Sequence, residues 1–98
     1  MASGDEEVEV VRDRRRDLGD ELVRIRVLRV PESETYPEGI KYAYHYGEKG
    51  ADTPIIRYDN HHGIHERHEG ESVAEIEFPG YEQLLRRFSQ ELPDDLSP

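Results

Sequence analysis

The segment from Glu21 to Val30, Glu-Leu-Val-Arg-Ile-Arg-Val-Leu-Arg-Val, constrains the fold more than any other stretch of the chain. Its two-residue alternation puts Val23, Ile25 and Val27 on one side of an extended backbone and Arg24 and Arg26 on the other. Such a strand buries one face and leaves the other in water, which calls for an antiparallel sheet covered on one side. Neighbouring segments supply its partners. Glu7 to Arg14 carries Val8, Val10 and Val11, and the turn residues Asp17-Leu18-Gly19-Asp20 follow, so a first strand and hairpin are expected. Ile40 to Tyr46 sets Tyr42, Tyr44 and Tyr46 against Lys41, Ala43 and His45. Pro54 to Tyr58 reads as a fourth strand, and Val73 to Phe78 as a fifth, at an edge because Pro79 stops it. Pro31 to Gly39 is rich in breakers and reads as one surface loop.

From Gly80 to Leu92 the period changes. Tyr81, Leu84, Leu85, Phe88 and Leu92 fall at helical spacing, with Glu82, Arg86, Arg87 and Gln90 opposite them. The expected class is therefore α+β, an antiparallel sheet of about five strands with one C-terminal amphipathic helix packed on one face. Ninety-eight residues suffice for one core. Residues 6–92 are read as a single domain, with frayed ends at 1–5 and 93–98.

Composition narrows the chemistry. The chain has no Cys, which excludes disulfide scaffolds, thiolate metal sites and cysteine nucleophiles. No apolar stretch approaches the ~20 residues that span a bilayer, and the N-terminal residues lack the features of a signal peptide, so a soluble cytoplasmic protein without membrane contact is expected. There are 23 acidic against 13 basic residues, a net charge of −10, and the only lysines are Lys41 and Lys49. Acid excess with so few lysines points to a halophilic protein, because concentrated salt screens such charge density. The acidity then reflects the solvent and leaves a nucleic-acid partner open.

With the valines and tyrosines facing the helix, Arg24, Arg26, Lys41 and His45 converge on the open face. Clustered cations of this kind suit phosphate, which Arg binds through two parallel N–H donors; charged outward positions kept for solubility, neutralised by cross-strand acids, are the plain alternative. The segment Arg57-Tyr58-Asp59-Asn60-His61-His62-Gly63-Ile64-His65-Glu66-Arg67-His68-Glu69-Gly70 holds four of the five histidines. Two imidazoles beside a guanidinium suit metal-independent RNA cleavage: one ring takes the 2′-hydroxyl proton, another serves the leaving oxygen, and Arg stabilises the developing charge. His65, His68 and Arg67 have the right side chains. In a strand His65 and Arg67 share a face while His68 looks away; in a turn all three converge. A metal site of His65, His68 and Asp59 or Glu69 competes with this, as does a turn whose histidines are inert. No cofactor motif is present.

The run Lys41-Tyr42-Ala43-Tyr44-His45-Tyr46-Gly47, then Arg57-Tyr58-Asp59-Asn60, then His65-Glu66-Arg67-His68-Glu69-Gly70, resembles the TumE family over about residues 21–92. The resemblance implies a growth-inhibiting toxin of a type II toxin–antitoxin module, with RNA as the suspected substrate. It also implies a cognate antitoxin partner that binds DNA, expected to be a helix-turn-helix protein. Carried over by motif are Tyr58, Asp59, Asn60, Gly63, His65, Arg67 and His68. In this scheme His65 and His68 act as acid and base with Arg67, while Arg57 joins Arg67, Arg24, Arg26, Lys41 and His45 in binding substrate. Tyr58, Asp59 and Asn60 orient the site, and no metal ligand is assigned. The alternative is a non-catalytic module that docks another polypeptide on its open face or edge strand. Exposed edges also leave room for a homodimer.

Overall fold

The computed structural model describes residues 8–93. The fraying expected at 1–5 and 93–98 lies outside them, Pro93 apart. Six strands follow one another: β1 (Glu9–Asp17), β2 (Glu21–Arg29), β3 (Ile40–Glu48), β4 (Ile56–Asp59), β5 (Glu66–Glu69) and β6 (Ser72–Glu75). They form one antiparallel meander in the order β1-β2-β3-β4-β5-β6, and helix α1 (Tyr81–Gln90) packs against β3 and β4. The class is the α+β arrangement expected, with one strand more.

The extra strand is β5, Glu-Arg-His-Glu, inside the histidine-rich segment. It has no apolar residue, so hydrophobic alternation gives no sign of it. Pairing with β4 on one side and a tight hairpin to β6 on the other hold it extended. β6 is the expected edge strand; it runs Ser72–Glu75 and is exposed throughout.

The core forms where the alternation places it. Register sets Val23 opposite Tyr46, Ile25 opposite Tyr44 and Val27 opposite Tyr42, and all six are buried with Ile56 and Tyr58 beneath Leu84, Phe88 and Leu92. Leu84 and Phe88 are wholly enclosed, which contributes about 1.5–3 kcal/mol each. The tyrosine rings supply area while their hydroxyls reach polar partners. Tyr44 donates to the Tyr81 carbonyl at 2.8 Å, Tyr46 to Glu21 at 2.9 Å, and Tyr58 to Glu91. Among the described residues no α-helix lies on the other face of the sheet, and no helix is long and apolar enough to cross a membrane.

Candidate functional site

Antiparallel register assembles the open face. Arg15 of β1 stands opposite Arg24 of β2, Arg24 opposite His45 of β3, His45 opposite Arg57 of β4, and Arg57 opposite His68 of β5. Five cationic or imidazole side chains thus form one row perpendicular to the strands. The next row, Asp13, Arg26, Ala43, Asp59, Glu66, is mainly acidic. Arg24, Arg26, His45 and Arg57 line a shallow recess around Ala43, whose small side chain leaves the space open. Beside it Lys41 and His61 join Arg26 and Arg57 around a second recess of about 260 Å³. The expected convergence of Arg24, Arg26, Lys41 and His45 on the open face is therefore present, and Arg57 joins them there.

Part of that charge is answered locally. Asp13 accepts two 3.3 Å bonds from Arg24 and lies 3.9 Å from Arg26. Arg57 donates from Nε to Asp59 at 2.7 Å and from Nη1 to His45 Nδ1 at 3.3 Å. A guanidinium can only donate, so His45 Nδ1 accepts and the neutral ring carries its proton on Nε2. Burial first and the Arg57 charge second hold the His45 ring below its ordinary value of 6.5, so it is neutral at pH 7. Gly47 makes room for this ring, because a Cβ there would lie 3.1 Å from His45 Nε2.

Asp59 is buried on this face, its Oδ2 between Arg57 and His68 and its Oδ1 accepting the His61 N–H at 3.2 Å. His68 directs Nε2 at Asp59 Oδ2, 3.5 Å away, and at Glu66 Oε1, 3.4 Å away.

The expected grouping of His65, Arg67 and His68 is not formed. β5 is extended, so Arg67 points to the helix side, opposite Tyr58, while His68 points to the open face. Arg67 is bound by Glu91 through Nε and Nη2, donates to Glu69 at 3.2 Å, and stands over the Tyr58 ring. These contacts tie the C-cap of α1 to β5. His65 precedes β5 on the helix side. Its ring stacks on Phe78 at 4.3 Å, bonds to the Tyr42 hydroxyl through Nδ1 at 3.0 Å and faces Glu38 at 3.4 Å.

Of the three residues expected to orient the site, Asp59 alone touches it. Tyr58 is a core ring on the other face. Asn60 is 1% exposed; it accepts from the Tyr42 N–H at 2.9 Å and donates to the Ile40 carbonyl at 2.7 Å. Its amide thus prolongs the β3–β4 ladder. Sequence reasoning missed Arg15 and Glu66, which only the strand register brings to the face, and Gly47, whose signal was a glycine two residues after a histidine in a strand.

No curated protein and no solved structure matches this chain. The family model described as Toxin TumE matches residues 3–96. That match covers nearly the whole chain and includes the tyrosine strand, the Arg-Tyr-Asp-Asn strand end and the histidine-rich hairpin, so the chain belongs to the TumE toxin family.

Proposed function

We propose that this chain is a growth-inhibiting toxin that acts on RNA through the open sheet face, and that a cognate antitoxin protein restrains it. The observation that carries the proposal is the row Arg24, His45, Arg57, His68 across four adjacent strands. At about 4.8 Å per strand the two imidazoles stand roughly 10 Å apart with Arg57 between them, enough to seat a phosphodiester over the guanidinium. Arg24 and Arg57 bind the phosphate oxygens. A phosphate that takes the Arg57 Nη1 donor frees His45 Nδ1, and this neutral ring then accepts the 2′-hydroxyl proton. As the 2′-oxygen bonds to phosphorus, the bond to the 5′-oxygen breaks on the His68 side, and the departing oxygen takes its proton from solvent water. The acidic row beside the stripe repels a second backbone and favours a single strand.

The test incubates RNA with purified wild-type protein, His45→Ala and the conservative helix-side variant His65→Gln. Cleavage abolished in His45→Ala and retained by folded His65→Gln is expected. Equal cleavage by His45→Ala overturns the assignment of the base, and no cleavage by any folded protein favours docking of a polypeptide on the same face.

A further inference from the structure

We infer that Asp59, Glu66 and His68 form a site for one divalent transition cation on the open sheet face. These three offer ligand atoms within 4.8 Å of one another from two adjacent strands. Asp59 and Glu66 stand directly opposite in register, and His68 follows Glu66 by two residues on the same face. The two separations to His68 match those between ligands of one ion more closely than those of hydrogen-bond partners. A four-coordinate cation with bonds of about 2.1 Å holds neighbouring ligand atoms about 3.4 Å apart. His68 Nε2 lies 3.4 Å from Glu66 Oε1 and 3.5 Å from Asp59 Oδ2. A ring nitrogen donating to a carboxylate would sit at about 2.7–2.9 Å.

A second observation points the same way. His68 Nε2 has less than 1 Å² of exposed surface and no hydrogen-bond partner among the described residues. A buried polar nitrogen held at ion-pair distance from two carboxylates, with a hydrogen bond to neither, is poorly satisfied unless something lies among them. A cation satisfies all three atoms at once. Asp59 Oδ2 has a second lone pair beyond the one Arg57 uses, so the Arg57 bond and the cation coexist. Two carboxylates with one imidazole favour Zn²⁺ or Mn²⁺ over Mg²⁺ or Ca²⁺, which prefer oxygen alone.

The cation site rests on these distances and not on RNA as substrate. Its consequence does rest on that proposal: a cation beside Arg57 would neutralise the leaving oxygen on the His68 side. Calorimetric titration of the protein with Zn²⁺ in the absence of RNA tests the site. One ion per chain is expected, weakened roughly tenfold or more by Glu66→Gln and by His68→Ala, and unchanged in a His61→Ala/His62→Ala double variant. Arg57→Gln, which removes an opposing charge, should tighten binding. Co²⁺ added to the wild type should give the intense visible bands of a four-coordinate ion, a readout that does not depend on any variant folding. No binding to folded wild type, or binding lost in the double variant and kept in Glu66→Gln, overturns the inference. RNA cleavage that persists in chelator without Zn²⁺ binding leaves the function standing and removes the metal; Zn²⁺ binding without cleavage does the reverse.

Discussion

Replacing Asn60 separates a structural amide from a catalytic one. Its side chain satisfies two backbone groups of β3, the Tyr42 N–H at 2.9 Å and the Ile40 carbonyl at 2.7 Å, in a site 1% exposed. Asn60→Ala leaves both unpaired out of reach of bulk water. Each orphaned group costs about 1–3 kcal/mol, so the sum is roughly 2–6 kcal/mol, with the lower half favoured where a water enters the vacated space. Asn60→Asp supplies a sharper control. The aspartate still accepts from Tyr42 N–H, but its second oxygen meets the Ile40 carbonyl, an acceptor, and only the protonated acid can donate there. Its pKa in the folded protein is therefore raised. A carboxyl with a raised folded pKa is best tolerated below its unfolded value near 3.9 and destabilises progressively as pH rises through the folded value. Urea unfolding at pH 4 and pH 7 should show the gap between wild type and Asn60→Asp widening at pH 7, while the gap for Asn60→Ala stays constant. Variants costing less than about 0.5 kcal/mol at both pH values would refute the ladder role and return Asn60 to the chemistry.

Other outcomes follow from single contacts. Burial raises the Glu91 carboxyl, but donors from Arg67 and Tyr58 outweigh it and hold the group below its ordinary 4.5. Stability from this group is full above pH 4.5 and falls away as pH drops through the lowered value, so Glu91→Gln should cost about 1–2 kcal/mol at pH 7 and less in acid, checked by denaturation across that range. Arg57→Gln removes the charge that helps depress His45. The His45 ring should then titrate at higher pH, followed by its proton resonances, and the acid limb of any RNA cleavage should move the same way; an unmoved resonance contradicts the Arg57–His45 coupling. Gly63 has φ +82°, and a Cβ there would strike the Thr35 carbonyl oxygen. Gly63→Ala should lower stability by about 2 kcal/mol or more, and a neutral result would mean that the turn is not seated against the 31–39 loop as described.

The α+β class and the buried face were legible because β2, β3 and α1 carry unbroken periodicity: Val23, Ile25 and Val27, the three tyrosines, and Leu84 with Phe88 all lie where alternation or helical spacing puts them. The histidine-rich hairpin was not legible. Glu66 to Glu69 is wholly polar, so nothing in its composition distinguishes a strand from a turn, and that choice decides whether His65, Arg67 and His68 meet. Because it is a strand, Arg67 becomes a buried-side ion-pair partner and His68 a member of the open face. The cationic row was half legible. Arg24 and Arg26 announced an outward face, but which side chains stand beside them depends on register, and register is fixed by turn geometry and packing. Arg15 and Glu66 entered only by that route.

Amide and side-chain resonance mapping with a short single-stranded oligoribonucleotide shows directly which side of the sheet meets RNA. The largest changes should fall on Arg24, His45, Arg57 and His68, with His65, Arg67 and Tyr58 little affected, and binding should weaken as salt rises. Changes centred on His65, Arg67 and the C-terminal end of α1, with the open face silent, would contradict binding on the open face.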